Sequence, residues 1–167
     1  MGNLYRESKG LAKSMRRRWR ARKKRPKIIY PHGDVQTGSL SVGQRTAIAG
    51  RVVFDCTGDI VIGDHCVIAE GARIFTHSHD FLIGEVPDIT AETGITFSSI
   101  QIADNVYIGH EAVVLPKVGS IGESAIVGAR SVVTKDIPPG EIWAGNPARK
   151  IGERQSGRED GGAGEGG

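Results

Sequence analysis

A six-residue period is the feature of this sequence that most constrains its fold. Four segments, beginning at residues 42, 62, 102 and 121, each contain three hexads. The first position of every hexad is apolar: Val42, Ile48, Phe54, Ile62, Ile68, Ile74, Ile102, Ile108, Val114, Ile121, Val127 and Val133. The fifth position is mostly small or β-branched, as at Cys66 and Ala72. One large and one small inward residue in every six, with frequent glycine at the corner, predicts a short strand followed by a turn.

Three such units close a triangular coil. Stacking the coils at the strand spacing of about 4.8 Å gives each backbone amide a partner in the next coil. The sequence therefore predicts an all-β fold, a parallel β-helix of about four coils. The 24 glycines and the low aromatic content of 5% agree with a fold rich in tight turns. So short a column has two exposed ends, and we expect capping and self-association.

The repeat divides the chain into three parts. The β-helix occupies residues 40–151, and residues 80–101 do not fit the hexad register, so they are predicted to leave the coil as one long loop. Residues 152–167 have almost nothing apolar to bury and are predicted to form a disordered tail. Residues 1–39 form a basic segment that is predicted to be helical or extended.

The N-terminal segment is strongly basic. Residues 1–27 hold twelve of the 22 lysines and arginines against a single acid. Leu11, Met15 and Trp19 recur every four residues, which predicts a short amphipathic helix ending before Pro26. This helix could cap the open end of the fold, or contact an anionic membrane surface or a polyanionic substrate. Nucleic acid is not expected, because no groove-reading motif accompanies the charge. Without a membrane-spanning run or a signal-peptide core, we expect a cytoplasmic location, possibly peripheral to the membrane.

Three motifs accompany the repeat: IFTHSHD before the loop, VYIG opening the next coil, and SVVTKDIPPGEIWAGNPARKI at its end. With these motifs, the repeat region resembles the hexapeptide-repeat acyltransferases. It is most similar to the sugar O-acetyltransferases, including galactoside and maltose acetyltransferases and the enzymes that decorate bacterial polysaccharides. The resemblance implies a left-handed coil, against the usual right-handed preference of crossovers. It also implies a homotrimer that binds acetyl-CoA between subunits and transfers the acetyl group to a hydroxyl of a sugar or glycan intermediate, with no metal required.

The motif IFTHSHD contains two histidines, His77 and His79. In the resembling enzymes the catalytic imidazole lies three residues after the threonine, here Thr76, so the resemblance assigns the general base to His79. A neutral imidazole can take the proton of a sugar hydroxyl as its oxygen attacks the thioester, without a covalent enzyme intermediate. We expect Asp80 to orient a neighbouring imidazole in the catalytic site. His77 is expected to contact the substrate or to orient the loop.

The resemblance assigns six residues to acetyl-CoA. Main-chain groups of His110 and Ala129 are expected to bind the pantetheine arm, and Tyr107 replaces the tryptophan that commonly opens the W-I-G stretch. Thr134, Lys135 and Arg149 match positions that meet the nucleotide, and the two cations suit its phosphates.

Three alternatives stay open. The same base would serve an amine acceptor on an amino sugar. The stretch IGHEAVVL resembles the gamma-class carbonic anhydrases, but their metal site needs a second histidine five residues after His110, where this chain has Leu115. A noncatalytic β-helix scaffold is the third, and the presence of His79 and Lys135 argues against it. Cys56 and Cys66 form no CxxC pair and are expected to be reduced, buried thiols.

Overall fold

The computed structural model describes residues 27–29, 38–79 and 95–155, and for residues 27–29 the backbone alone. The predicted N-terminal helix, Asp80 and residues 156–167 of the predicted tail lie outside the described residues. The described chain contains seventeen strands: β1 Lys27–Ile29, β2 Leu40–Val42, β3 Ala47–Ile48, β4 Val53–Asp55, β5 Ile60–Ile62, β6 Val67–Ile68, β7 Arg73–Ile74, β8 His77–His79, β9 Ile95–Phe97, β10 Ile100–Ile102, β11 Tyr107–Ile108, β12 Val113–Val114, β13 Ser120–Ile121, β14 Ile126–Val127, β15 Val132–Val133, β16 Glu141–Gly145 and β17 Ala148–Glu153.

Fifteen of the described strands form three sheets, which are the faces of a left-handed parallel β-helix, and β8 and β9 form a separate two-stranded sheet. Face one contains β2, β5, β10 and β13; face two contains β3, β6, β11, β14, β16 and β17; face three contains β1, β4, β7, β12 and β15. Each turn of the chain visits face one, face two and face three in that order. Four turns are complete, and β16 begins a fifth, which β17 closes by pairing antiparallel with it.

Equivalent inward residues of successive coils stack in register. On face two, Ile68 aligns with Ile108, and Ile108 with Val127. These three side chains are fully buried, and burying each one contributes about 1.5–3 kcal/mol. The predicted inward positions thus form the core, except at the open end: Val42, in the first coil, is 40% exposed because no further strand covers β2 on face one of the described chain.

The corners of the coil require unusual backbone geometry. In the described part of the chain, seven non-glycine residues adopt left-handed φ angles between 56° and 61°: Arg45, Arg51, His65, Asn105, Glu111, Ser124 and Arg130. This region costs about 1–2 kcal/mol per residue for an L-amino acid. Stacking offsets part of that cost, because corner carboxylates accept amides from the neighbouring coil. Asp104 Oδ1, for example, accepts the Asp64 amide at 2.7 Å.

The chain leaves the coil between face three and face one of the second turn. There β8 pairs antiparallel with β9, with His79 opposite Ile95. The described part of the predicted loop 80–101 differs from the prediction, because Ile95–Phe97 is a strand and Ile100 already lies in face one. Three of the four face-one strands, β10 among them, are three residues long with two inward side chains, as at Ile60 and Ile62 of β5. The hexad starting at Ile102 therefore missed buried Ile100.

Both ends of the coil carry additional strands. β1 pairs in parallel with β4 and extends face three, which agrees with an extended N-terminal segment for these residues. β17 runs to Glu153 and carries the folded chain past the predicted boundary at residue 151. Among the described residues, no helix is long and apolar enough to span a membrane.

Candidate active site

The corner between face three and face one gathers most of the polar side chains that could do chemistry. In the first coil this corner follows β4 and contains Asp55 and Thr57. In the second coil it follows β7 and contains Thr76, His77 and His79. Asp55, Thr57 and Thr76 are buried, whereas His77 and His79 are only partly buried. The corner therefore joins a buried polar base to two imidazoles near the surface.

Asp55 holds His77. The Asp55 carboxylate is 1% exposed, and its Oδ2 lies 2.5 Å from Nδ1 of His77. The His77 side chain is 32% exposed, so Asp55 holds one ring nitrogen on the buried side while the rest of the ring reaches the surface. A carboxylate bound to one imidazole nitrogen selects the tautomer that carries its proton there and leaves Nε2 as an acceptor.

The Asp55 carboxylate is fully hydrogen-bonded. Its Oδ1 accepts the hydroxyl of Thr57 at 2.6 Å and the Thr57 amide at 3.2 Å. Its Oδ2 accepts the Thr76 amide at 3.3 Å in addition to the His77 ring nitrogen. Burying a charge is costly unless hydrogen bonds compensate it, and these four contacts supply that compensation. Across the described residues, no buried side-chain polar atom lacks a partner.

His79 lies beside His77 on β8. The two residues are two positions apart on a strand, so their side chains project to the same side. Their ring centroids are 5.4 Å apart and the ring planes meet at 84°, an edge-to-face arrangement. The tilt of one ring therefore restricts the tilt of the other.

The sequence did not identify Asp55. The carboxylate expected beside the imidazoles was Asp80, which lies outside the described residues. The sequence signal that could have found a partner for His77 is the number of residues in one turn of the coil. Val53 aligns with Arg73, an offset of twenty residues, and the same offset brings Thr57 next to His77 in the neighbouring coil. That register points to Thr57, and Asp55 lies two residues before it on the same corner.

The two residues assigned to the pantetheine arm lie together at the corner between faces two and three. His110 and Ala129 occupy equivalent places in successive coils, because Ile108 aligns with Val127. The His110 carbonyl accepts the Arg130 amide at 2.8 Å. Tyr107 projects outward from face two, opposite in direction to the buried Ile108.

The residues assigned to the nucleotide lie elsewhere. Thr134 and Lys135 follow β15 at the corner between faces three and one, in the same column as the histidines but two coils further along, about 10 Å by strand spacing. Lys135 Nζ lies 5.1 Å from the centroid of the Trp143 ring. Arg149 lies on β17, where its guanidinium donates to the Ala148 carbonyl at 2.8 Å. His110 and Ala129 thus lie together at one corner, and Thr134 and Lys135 lie together at another. Face three separates the two corners.

Other charged side chains near the C-terminal end are already paired. Glu153 and Glu141 raise the pKa of Lys150, whose Nζ lies 2.7 Å and 2.9 Å from their carboxylates. Lys135 and Arg149 have no carboxylate partner among the described residues, which suits them to an anionic ligand.

Cys56 and Cys66 are buried free thiols, as expected. Burial raises the pKa of both thiols, and the Asp55 carboxylate raises that of Cys56 further. Within residues 38–79 and 95–155, no group of three or more histidine, cysteine, aspartate or glutamate side chains could hold a metal ion.

Comparison with known proteins gives consistent similarities. Galactoside O-acetyltransferase of Escherichia coli is 38% identical over 103 residues, which are 61% of this chain and 47% of the relative. Chloramphenicol acetyltransferase of Agrobacterium fabrum is 33% identical over 109 residues, 57% of this chain and 52% of the relative. The crystal structure of a hexapeptide-repeat acetyltransferase from Vibrio cholerae, complexed with acetyl-CoA, matches with a TM-score of 0.63 and 28% identity, over 78% of this chain and 66% of that one.

The chain spans about half the length of the curated relatives that it matches. No protein-family model matches the chain.

Proposed function

We propose that this chain transfers an acetyl group from acetyl-CoA to a hydroxyl group, because its homologues and structural neighbours are hexapeptide-repeat acetyltransferases. The sequence resemblance to that family is confirmed by these relatives. The observation that most supports the activity is the imidazole pair on β8, in the same corner column as Lys135. The corner column between faces three and one thus contains both an imidazole that can accept a proton and a lysine that can bind a phosphate.

The proposed reaction needs only one proton relay. His79 removes the proton of the acceptor hydroxyl while the oxygen attacks the thioester carbon. The tetrahedral intermediate then expels the thiolate of CoA, and the imidazolium of His79 returns the proton to that sulfur. Acceptor oxygen and acetyl carbon form the new ester bond, the carbon–sulfur bond breaks, and no external oxidant or reductant is required.

For the cosubstrate, we propose the six residues that the sequence assigned. Main-chain groups of His110 and Ala129 hold the pantetheine arm along face three, and Tyr107 flanks it. Lys135 and Arg149 bind the phosphates, with Thr134 beside them. Nucleotide phosphates suit these cations because charge-assisted hydrogen bonds are about twice as strong as neutral ones.

For the acceptor, we propose a sugar or glycan hydroxyl, which the galactoside O-acetyltransferase relative supports. We propose that His77, whose side chain is partly exposed at the corner, contacts this acceptor. The chloramphenicol acetyltransferase relative supports a second candidate, a hydroxyl of a small nonsugar alcohol. Both acceptors present an alcohol to the same base.

We also propose that the active unit is a homotrimer. Face two carries an outward column of apolar side chains, Val67, Tyr107, Ile126 and Ile142, beside the buried inward column. Val67 is 41% exposed in the single chain. A contiguous apolar column on a surface is typical of a subunit interface. Val67→Glu is expected to convert the assembly to monomers in light scattering and to abolish turnover.

The location proposed for this reaction is the cytoplasm, with the basic residues 1–27 contacting an anionic membrane. Removing residues 1–27 tests that contact: binding to phosphatidylserine vesicles should be lost, while turnover of a soluble acceptor should stay within about twofold. Vesicle binding that persists after the deletion would contradict the proposed contact.

The test of the activity is release of free CoA from acetyl-CoA in the presence of galactosides, maltose, an amino sugar and chloramphenicol. His79→Ala should lower kcat by about 100-fold or more. If only the amino sugar is turned over, the acceptor group is an amine and not a hydroxyl. No turnover with any acceptor would count against the proposal, and activity that chelation removes and zinc or iron restores would favour the metal-dependent hydratase instead.

A further inference from the structure

Asp55 is the one charged residue buried in the described part of the chain, where the other buried polar residues are Thr57, Thr76 and Ser131. Its carboxylate accepts four hydrogen bonds. Three of the donors belong to the corner itself: the Thr57 hydroxyl, the Thr57 amide and the Thr76 amide. The fourth is the His77 ring, which is the only one of the four that reaches the surface.

From this arrangement we infer that Asp55, Thr57 and His77 form a positioning unit for His79. The inference rests on the proposed acetyl transfer, in which His79 is the base. Asp55 fixes the proton of His77 on Nδ1, and Thr57 holds Asp55 in place. His77, through its edge-to-face contact, then favours the orientation of His79 in which a ring nitrogen of His79 meets the acceptor hydroxyl.

The hydrogen-bond directions around Asp55 all agree with one tautomer. The Thr57 hydroxyl gives its proton to Asp55 Oδ1 at 2.6 Å, so its oxygen lone pairs face Nδ1 of His77 at 3.2 Å. Neither Asp55 nor Thr57 has a proton left to donate to that nitrogen, and both can accept one. With Asp55 ionised, Nδ1 of His77 therefore carries a hydrogen, and the neutral form of the ring is the Nδ1–H tautomer.

The ring contact transmits this constraint. An imidazole whose Nδ1 is tied to a buried group can rotate little about its side-chain bonds, because rotation breaks a charge-assisted hydrogen bond. The ring centroids of His77 and His79 are 5.4 Å apart and the ring planes meet at 84°, so a change in the tilt of His77 alters its packing against the His79 ring. Accurate placement of a base can determine its efficiency even when the positioning residue takes no part in the proton transfer.

Asp55→Asn is the sharpest variant, because it keeps the shape of the side chain. With the amide oxygen left to accept the shorter hydrogen bond from the Thr57 hydroxyl, the amide nitrogen faces His77 and replaces the weaker contact with the Thr76 amide. An amide nitrogen at the Oδ2 position donates to Nδ1 of His77 and moves the ring proton to Nε2. Nitrogen-15 NMR of the imidazoles reports this directly: the wild type should show a protonated Nδ1 on His77, and Asp55→Asn a protonated Nε2. This measurement needs no substrate, so it stands even if the proposed function fails.

The kinetic arm separates positioning from binding. Asp55→Asn should lower kcat by about 10-fold or more and leave KM for acetyl-CoA within about twofold. His77→Asn keeps a donor for Asp55 but removes the ring, and it should lower kcat less than His79→Asn does. Asp59→Asn is the matched control, since Asp59 is an exposed carboxylate of the same corner that accepts from Ser39 and contacts neither histidine.

A second pair of variants covers the case in which Asp55→Asn does not fold. Thr57→Val removes the hydroxyl and should broaden or mix the tautomers of His77, whereas Thr57→Ser should retain the wild-type tautomer. The inference is overturned by an unchanged tautomer in Asp55→Asn, or by equal kcat in Asp55→Asn and the wild type. It is also overturned if His77→Asn abolishes turnover while His79→Asn retains it, because His77 would then be the base itself.

Discussion

The hydroxyl oxygen of Thr57 lies 3.2 Å from Nδ1 of His77, and the two residues are twenty positions apart, one full turn of the coil. Other side-chain hydrogen bonds cross the same turn at this corner. Thr76 Oγ1 donates to the Asp55 carbonyl at 2.5 Å and accepts the Gly58 amide at 2.8 Å. The first two coils are thus joined at this corner by side chains as well as by strand pairing.

Removing the Thr76 hydroxyl should destabilise this corner. Thr76 is fully buried, and Thr76→Val leaves the Gly58 amide and the Asp55 carbonyl without their partner. We expect a loss of about 1–3 kcal/mol in the free energy of unfolding, measured by urea denaturation. Thr76→Ser keeps the hydroxyl and should lose less. Equal stability of the two variants would show that the hydroxyl contributes nothing.

The glycine at the corner between faces two and three is required by coil stacking. A Cβ on Gly109 would lie 2.6 Å from the Ala129 amide nitrogen and 2.7 Å from the Gly128 carbonyl carbon, both backbone atoms that cannot move aside. Gly109→Ala should therefore lower the free energy of unfolding by about 1–3 kcal/mol. Gly119→Ala is the matched control, because its Cβ would have only Asp136 side-chain oxygens within 4 Å, at 3.7 Å and 3.9 Å. A stable Gly109→Ala protein would mean that the coils can separate at this point.

Asp136 should make the fold sensitive to acid. Burial raises the pKa of its carboxyl, but the Gly119 and Ser120 amides, at 2.8 Å and 3.1 Å, outweigh burial and hold the pKa below its ordinary value. This stabilisation is fully present above the unfolded pKa of about 3.9 and is lost as pH falls through the lower folded value. Asp136→Asn should have a lower urea midpoint at pH 7 and differ less from the wild type below about pH 3.

Glu123→Gln, an exposed change at a neighbouring corner, serves as the control for Asp136→Asn. If both variants show the same difference between neutral and acid pH, the amide contacts of Asp136 are not the cause.

The two thiols should be inert in the folded protein. Burial is the main reason that the pKa values of Cys56 and Cys66 are raised, so the reactive thiolate is scarce at neutral pH and sterically shielded as well. Iodoacetamide at pH 8 should label neither thiol of the native protein and both thiols in concentrated guanidinium, as read by mass spectrometry. Rapid labelling of native Cys66 would mean that the coil opens locally around it.

The sequence was sufficient for the core because the side-chain period and the coil period coincide. Ile68, Ile108 and Val127 were identified as one inward column from spacing alone, and they are buried in register. The site was less accessible, since its key contact joins residues 22 positions apart in different coils, Asp55 and His77. Local sequence offered the adjacent Asp80 instead. The assignment of His79 as the base came from family resemblance and stays a prediction.

The pairing of His79 with Ile95 closes the excursion at its base, where the chain leaves the coil and returns to the same corner. Ile100 then resumes face one in register with Ile60 as if nothing had intervened. We therefore expect insertions or deletions between residues 79 and 95 to leave the register of the coil unchanged.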